Sequence, residues 1–163
     1  MDTEDYEFYK QHQNKEKSRT KVRTRLYVDS DLAFFEYKQK EKGVTRKFRY
    51  QFPSEEHGTM TKGKRRFFEG LYSSFYGTLP EKKISPALRS EYSRLTLCSK
   101  DSGERVTIDF KIKLSGLRDH NEKVKLNNVA IVESKSMSLD GVSHKIMEKH
   151  GIKKAKSCSK YCL

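Results

Sequence analysis

The sequence predicts an α+β fold that is mainly antiparallel β, with two or more packed helices. Three observations lead to this prediction. Polar and apolar residues alternate with period 2 in several short segments, turn residues separate those segments, and one stretch carries aromatic residues at helical spacing. The chain of 163 residues suits a single domain, expected to span 1–163. Its 9 Tyr and 9 Phe argue against a disordered basic chain.

Three predicted strands follow a polar connector at residues 11–21. Each alternates between charged and apolar side chains. Asp29-Ser30-Asp31 and Glu41-Lys42-Gly43 are turn sequences between them, so we expect a meander of short hairpins. The three segments are residues 21–28, 33–40 and 46–51.

An amphipathic helix is predicted after these strands. Apolar residues recur at helical spacing from about Lys64 to Phe75, and Gly77 and Pro80 are expected to end the helix. The apolar positions are Phe67, Phe68, Leu71, Tyr72 and Phe75.

Further strands are predicted in the second half of the chain. The clearest is Arg105 to Leu114, whose apolar residues are all expected on one face. The turn sequence at residues 100–103 makes it a hairpin with a strand at residues 92–97. Residues 129–135 are predicted as another strand, and Gly141 to His150 as a second helix.

The polar faces of these predicted strands concentrate the positive charge. The formal net charge is +13, which usually indicates an anionic partner such as nucleic acid, membrane headgroups or a phosphate-rich molecule. The acids on these faces are only Glu36, Asp109 and Glu133. The cations are Lys21, Arg23, Arg25, Lys38, Lys40, Lys47, Arg49, Arg94, Arg105, Lys111, Lys113 and Lys135.

Two interpretations of this charge remain open. A half-exposed antiparallel sheet has a solvated polar face, which accounts for any single lysine. Like charges opposite each other across strands are destabilising, however, so the whole set favours compensation by an anion. If the face curls into a barrel, the cations line a tunnel that would bind a polyanion.

Two carboxylates on strands also have two interpretations. Glu36 precedes Lys38 by two residues, and Glu133 precedes Lys135 by two residues. Each carboxylate can be an ion-pair partner of these cations. The alternative is a ligand for Mg²⁺ or Mn²⁺, which prefer oxygen donors and often bind through one or two carboxylates plus substrate phosphates.

Several other classes are disfavoured. No apolar stretch approaches the roughly 18–20 residues of a membrane-spanning helix, and the acidic start M-D-T-E-D-Y is not typical of a signal peptide. The 3 cysteines include no C-x-x-C pair, which argues against a disulfide framework or a zinc site and favours the cytoplasm. There is no P-loop, and no RNP-like, KH or C₂H₂ signature is present. No nucleic acid is therefore expected, since Tyr37 and Tyr50 fall opposite the cations.

Taken together, these segments resemble the vacuolar transporter chaperone (VTC) domain, the polyphosphate polymerase branch of the triphosphate tunnel metalloenzymes. The matching motifs occur in the family's order and span nearly the whole chain. They are D-T-E-D-Y-E-F-Y, K-V-R-T-R-L-Y, F-F-E-Y-K-Q-K, T-R-K-F-R, Y-S-R, E-R-V-T-I-D, V-E-S-K and S-C-S-K-Y.

The resemblance implies an eight-stranded antiparallel tunnel that transfers the γ-phosphate of ATP to a growing polyphosphate chain. It implies catalytic roles for cations of the matched motifs, which are Arg23, Arg25, Lys38, Arg94, Arg105 and Lys160. It also implies substrate contacts by Tyr92 and Ser159, and a Mn²⁺ or Mg²⁺ ion held by Glu133. Alternation adds Arg49 and Lys135 to the expected lining.

The chain also departs from the family pattern. The family has a further strand before D-T-E-D-Y, so here the barrel is expected to lack one strand and one phosphate contact. The basic contact expected after Tyr9 has two candidates, His12 and Lys15. Ser157 stands where one form of the family has Lys, with Lys156 displaced by one residue.

Two alternative functions remain. The same tunnel could hydrolyse triphosphate with water as the acceptor, or the domain could bind polyphosphate or inositol phosphates without turnover.

Overall fold

The computed structural model describes residues 1–118, 122–136, 141–155 and 158–162. They divide into two compact units, Met1–Ala87 and Leu88–Tyr161, with Cys162 grouped with the first. Lys156 and Ser157, which the comparison with the family pattern singled out, lie outside the described residues.

The first unit contains a three-stranded antiparallel meander, two helices and a small two-stranded sheet. In chain order the elements are β1 (Asp2–Thr3), α1 (Glu7–Gln13), β2 (Arg19–Tyr27), β3 (Leu32–Glu41), β4 (Val44–Phe52), α2 (Lys62–Tyr76) and β5 (Ile84–Ser85). The meander runs in the order β2-β3-β4, as the turn sequences predicted. The short strands β1 and β5 pair with each other.

One face of the meander forms the core of this unit against the two helices. Tyr37 is fully buried and its ring stacks on Phe75 of α2, with the centroids 6.0 Å apart. Tyr50 stacks on Phe67 at 5.7 Å. Both tyrosines therefore lie opposite the cations, which confirms that part of the sequence analysis. The buried apolar residues of this core are Phe8, Val22, Ala33, Phe35, Tyr37, Phe52, Phe68 and Ile84.

Helix α2 extends slightly beyond the predicted range and ends where Gly77 adopts a φ of 74°. Only glycine takes this left-handed conformation without cost, which is why the helix ends there.

Near the start of α2, Lys64 is completely buried. Its Nζ donates to the backbone carbonyls of Glu56 and Thr59, and lies 3.6 Å from the centroid of the Phe52 ring.

Helix α1 and the start of β2 both fall within the predicted polar connector, so that prediction was wrong for residues 11–13 and for residues 19 and 20. Asp2 is fully buried, and its carboxylate accepts hydrogen bonds from the backbone N–H groups of Phe8 and Tyr9. The hydroxyl of Thr3 accepts from the N–H of Glu7. These side chains satisfy the first N–H groups of the helix, which have no partner within it.

The second unit is built around a long antiparallel hairpin. Strand β7 pairs with β6 on one side and with both β8 and β9 on the other, and one helix follows. The predicted hairpin, the last strand and the last helix are confirmed. The elements are β6 (Leu88–Cys98), β7 (Arg105–Gly116), β8 (Lys123–Leu126), β9 (Ile131–Lys135) and α3 (Val142–Lys149).

The prediction that the apolar residues of β7 share one face was wrong. Lys111 has a φ of 53°, and the register between β6 and β7 shifts beside it. One extra residue in a strand is a β-bulge, and it reverses the alternation beyond it. Thr107 and Asp109 are consequently buried before the bulge, and Ile112 and Leu114 after it. Lys113 therefore does not share a face with Asp109.

The predicted α+β class is confirmed: the sheets are antiparallel, and three helices occur among the described residues. The sheets that these residues form are open, so the closed eight-stranded tunnel stays a prediction. In the described part of the chain, no helix has the length and apolar character needed to cross a membrane.

Candidate functional site

The outer face of the β2-β3-β4 meander presents the first set of predicted site residues. Directly paired residues of neighbouring strands project on the same side, so the register decides which side chains meet. We call this surface the cationic face. It carries Arg19, Lys21, Arg23, Arg25, Lys38, Lys40, Lys47 and Arg49.

Three lysines lie side by side across the meander. Lys38 on β3 is paired with Lys21 on β2 and with Lys47 on β4. We call this set the lysine row. Like charges at directly opposed positions destabilise a sheet, so this arrangement favours an anion placed over it.

The neighbouring row places one carboxylate between two arginines. Glu36 on β3 is paired with Arg23 and with Arg49, and its side chain is only 2% exposed. The Arg23 Nε lies 2.5 Å from one carboxylate oxygen. The Lys47 Nζ and Arg49 Nε lie 2.6 Å and 3.1 Å from the other oxygen. Glu36 thus holds three of the cations in place, and the ion-pair interpretation of this residue is the one that these contacts favour.

These cations control the protonation of Glu36. Burial alone would raise the pKa of its carboxyl group, but the charge of Arg23 and the contact with Lys47 more than offset burial. The pKa falls from its ordinary value of 4.5 to about 2. Glu36 is therefore a fixed negative charge at neutral pH.

Two of the predicted arginines also contact aromatic rings. The Arg25 guanidinium donates to the Tyr27 hydroxyl at 3.0 Å and lies 5.5 Å from the centroid of that ring. The Arg49 guanidinium lies 5.4 Å from the centroid of Phe34. Such contacts restrict a guanidinium while leaving its edge able to donate to phosphate oxygens.

His12 on α1 is electrostatically close to the lysine row, whereas Lys15 is an exposed residue beyond the helix. The pKa of His12 falls from 6.5 to about 4, because burial disfavours the imidazolium form and because Lys21, Arg19 and Lys38 repel it. Of the two candidates for the basic contact after Tyr9, only His12 is shown to interact with the cationic face.

The second unit brings together three predicted residues around one buried carboxylate. Asp109 on β7 is paired with Arg94 on β6, and Arg94 donates to both carboxylate oxygens at 2.5 Å and 2.7 Å. Lys160 donates to the same carboxylate. The Tyr92 ring lies beside both cations, 4.5 Å from Lys160 Nζ and 5.4 Å from the Arg94 guanidinium carbon. We call these four residues the Asp109 cluster.

Three more predicted residues lie on the same face of this sheet. Arg105 on β7 is paired with Lys135 on β9, and Thr107 is paired with Glu133. Glu133 is close enough to Arg94 to affect its pKa, and its carboxylate lies 3.5 Å from Lys135 Nζ. Ser159, which precedes Lys160, is half-buried.

The donor set around Glu133 matches only part of a metal site. In the residues that the structure describes, no three His, Cys, Asp or Glu side chains form a group that could hold a metal ion. Glu133 can supply one carboxylate ligand, with its side chain 55% exposed. Mg²⁺ and Mn²⁺ bound in this way complete their coordination with water and substrate phosphates.

Two contributors to these sites were not predicted from the sequence. Asp109 was counted as an acid on a polar strand, but it was not assigned to a site. Lys47 was counted among the cations without a role, although it contacts Glu36. Part of the signal for Asp109 was present in the sequence, because it is a single acid among the cations of R-V-T-I-D-F-K. The sequence did not show that Arg94 would be its partner on the neighbouring strand.

Comparison with known proteins agrees with the resemblance found in the sequence. The family model described as the VTC domain matches residues 1–163, which is the whole chain. No curated protein matches it. Because the family model covers the full length, this chain belongs to the VTC domain family.

Proposed function

We propose that this domain binds ATP and inorganic polyphosphate and transfers the γ-phosphate of ATP to the growing polyphosphate chain, assisted by Mn²⁺ or Mg²⁺. Membership in the VTC family supports a function related to polyphosphate. The observation that carries the proposal is the lysine row, in which Lys21, Lys38 and Lys47 occupy directly opposed positions.

The lysine row favours a ligand with several closely spaced negative charges. Glu36 is engaged by Arg23, Lys47 and Arg49, so its single charge compensates only part of this surface. A chain of phosphate groups supplies one or more charges at each unit, and its oxygens match the donors of arginine and lysine. A nucleotide triphosphate has the same chemistry at its phosphate end.

The proposed roles follow from charge and donor geometry. Phosphoryl transfer needs no covalent nucleophile on the protein, and positioning together with charge neutralisation accounts for most of the catalysis. We assign phosphate binding in the first unit to Arg23, Arg25, Lys38 and Arg49. In the second unit we assign it to Tyr92, Arg94, Arg105, Lys135, Ser159 and Lys160.

Glu133 is the residue that would hold the metal ion. When bound, Mn²⁺ or Mg²⁺ would neutralise the negative charge that develops on the phosphate oxygens during transfer. The closed tunnel and a cytoplasmic location belong to the same proposal. Nucleic acid is not the proposed ligand, because Tyr37 and Tyr50 stack on phenylalanines of α2, on the side of the meander opposite the cations.

The test is a polymerisation assay. The purified protein is incubated with ATP and Mn²⁺ or Mg²⁺, with and without a short polyphosphate primer, and ADP and long polyphosphate are measured. We expect product that is lost in Arg94→Ala and Glu133→Ala. Arg66→Ala, an exposed arginine on α2, is the matched control and should retain activity, because α2 packs on the side of the meander opposite the cationic face.

A non-catalytic phosphate-binding function is the second candidate. It is favoured because, among the described residues, Glu133 is not part of a group of three His, Cys, Asp or Glu side chains that could hold a metal ion. Tight polyphosphate binding without ADP formation would support this candidate over the polymerase. Release of inorganic phosphate without polymer would instead indicate triphosphate hydrolysis.

A further inference from the structure

Asp109 has the geometry of a residue that positions other residues. Its side chain is 3% exposed, and both of its carboxylate oxygens are contacted by cations. Arg94 contacts them with Nε and Nη2, which fixes the plane of the guanidinium group. Lys160 contacts the Oδ2 oxygen.

The two cations reach Asp109 from different parts of the chain. Arg94 is its direct partner on the neighbouring strand. Lys160 is 51 residues further along the chain, in the segment that follows α3. The contact therefore ties that segment, and Ser159 with it, to strand β7.

Asp109 also remains charged. Burial raises the pKa of its carboxyl group, but hydrogen bonds from Arg94 and then Lys160 more than offset burial, and the pKa falls below its ordinary value of 3.8. An ionised carboxylate between two cations reduces their mutual repulsion, which allows both to stay beside the Tyr92 ring.

The contacts with Asp109 leave donors for a ligand. A guanidinium carries five N–H donors and an ammonium carries three. Arg94 uses two nitrogens on Asp109, and Lys160 uses its ammonium group for one contact. The other donors of both groups can bind phosphate oxygens, while Asp109 itself, being anionic and buried, would not contact the substrate.

We propose that Asp109 is a positioning residue, which orients Arg94 and anchors Lys160 so that both can bind one phosphate group of the substrate. The inference rests on the proposed function, and it goes beyond it by assigning a role to a residue that does not touch the phosphate. It also makes a prediction of unusual sign, because removing a negative charge should weaken the binding of an anion.

The alternative role for Asp109 is a competing counter-ion. In that case the carboxylate would occupy Arg94 and Lys160 until phosphate displaces it, and neutralising it would tighten phosphate binding. The positioning role predicts the reverse. Asp109→Asn keeps the shape of the side chain, removes the charge and therefore separates the two roles by the direction of the change in Kd.

The experiment is calorimetric titration of the full chain with inorganic triphosphate. We expect Asp109→Asn to raise the Kd by on the order of tenfold, equal to about 1.4 kcal/mol. Glu91→Gln is the matched control, because it removes the same charge from an exposed residue of the same sheet and should leave the Kd nearly unchanged. An unchanged or lowered Kd in Asp109→Asn would overturn the inference.

A second readout is independent of affinity. With fluorotyrosine incorporated, the ¹⁹F signal of Tyr92, assigned by Tyr92→Phe, reports the cations beside the ring. We expect Asp109→Asn and Lys160→Ala each to move this signal in ligand-free protein, because both variants change the cations beside the Tyr92 ring. If Asp109→Asn leaves the signal in place, then Asp109 does not anchor Lys160.

Two further outcomes keep the inference separate from the proposed function. If Asp109→Asn does not fold, Asp109→Glu serves instead: it keeps the charge but displaces the carboxylate, so the positioning role predicts weakened binding and a purely electrostatic role predicts binding as in wild type. If wild-type protein does not bind triphosphate, the proposed function fails, whereas the ¹⁹F signal of Tyr92 in ligand-free protein still shows whether Asp109 anchors Lys160.

Discussion

Lys38 lies directly opposite Lys21 on the neighbouring strand, on the cationic face of the first unit. Lys47 occupies the corresponding position on the other side of Lys38. In the absence of an anion this row of ammonium groups opposes folding through repulsion. Removing one of these charges should therefore raise the stability of the ligand-free protein and weaken the anion binding proposed above.

Lys38→Thr is expected to stabilise the ligand-free protein and to weaken triphosphate binding. Threonine favours strands and removes the central charge, so we expect a gain of up to about 1 kcal/mol in the free energy of unfolding at low salt. The gain should shrink at high salt, because salt screens repulsion between exposed charges. Urea denaturation at two salt concentrations and calorimetric titration measure the two effects. A Lys38→Thr protein that is less stable than wild type and binds triphosphate as tightly would contradict the prediction. Lys83→Thr, a change at an exposed lysine outside the cationic face, is the control.

Glu36→Gln is expected to destabilise the protein in a pH-dependent way. At neutral pH the loss should be on the order of 2 kcal/mol, because Arg23, Lys47 and Arg49 lose their buried partner but stay partly in contact with water. The native pKa of about 2 lies below the ordinary value of 4.5. As the pH falls, the unfolded chain therefore takes up the proton first, and the contribution of Glu36 is lost between about 4.5 and 2.

Urea denaturation of wild type and Glu36→Gln across this pH range is the measurement. The difference in stability between the two proteins should be largest above pH 4.5 and should narrow as the pH approaches 2. A difference that stays constant over the range would show that Glu36 is not held in its ionised form. Asp29→Asn, an exposed acid in the turn after β2, is the control and should have little effect.

His12 should report the binding of an anion to the lysine row. Its pKa is about 4 because of burial and because of repulsion by Lys21, Arg19 and Lys38. A phosphate group bound there would cancel part of this repulsion, so we expect triphosphate to raise the pKa of His12 by on the order of one unit. NMR titration of the imidazole, assigned with His12→Gln and run at matched ionic strength, tests this. Triphosphate that binds without moving this titration would place the anion elsewhere.

Glu104 should hold the start of helix α3. Its carboxylate accepts from the Ser143 N–H at 3.1 Å and from the Ser143 hydroxyl, and these contacts lower its pKa. Glu104→Gln removes the negative charge that strengthens these hydrogen bonds to the first turn of α3. Amide hydrogen exchange in α3 should therefore become about fivefold faster. Glu148→Gln, an exposed acid of the same helix, is the control. Equal exchange in both variants would show that Glu104 does not cap the helix.

Much of the first unit was predictable because its side chains alternate without interruption. The faces of β2, β3 and β4 followed from period 2 alone, and the hairpin turns fixed the order of the strands. Helix α1 was missed because its capping residues, Asp2 and Thr3, belong to a short strand that gave no periodic signal. The bulge at Lys111 was missed because a lysine gives no sign that it will adopt a left-handed conformation.

The sequence by itself determined which strands carry cations and where the main helix ends, and it predicted an anionic partner. Those properties depend on composition and on the spacing of neighbouring residues, which can be read directly from the sequence. Only the tertiary structure decided which charges meet. The placement of Lys38 between two lysines and the seating of Glu36 between two arginines depend on strand register. The contact of Asp109 with Lys160 depends on a fold that brings together residues 51 positions apart, and no local pattern encodes such a distance.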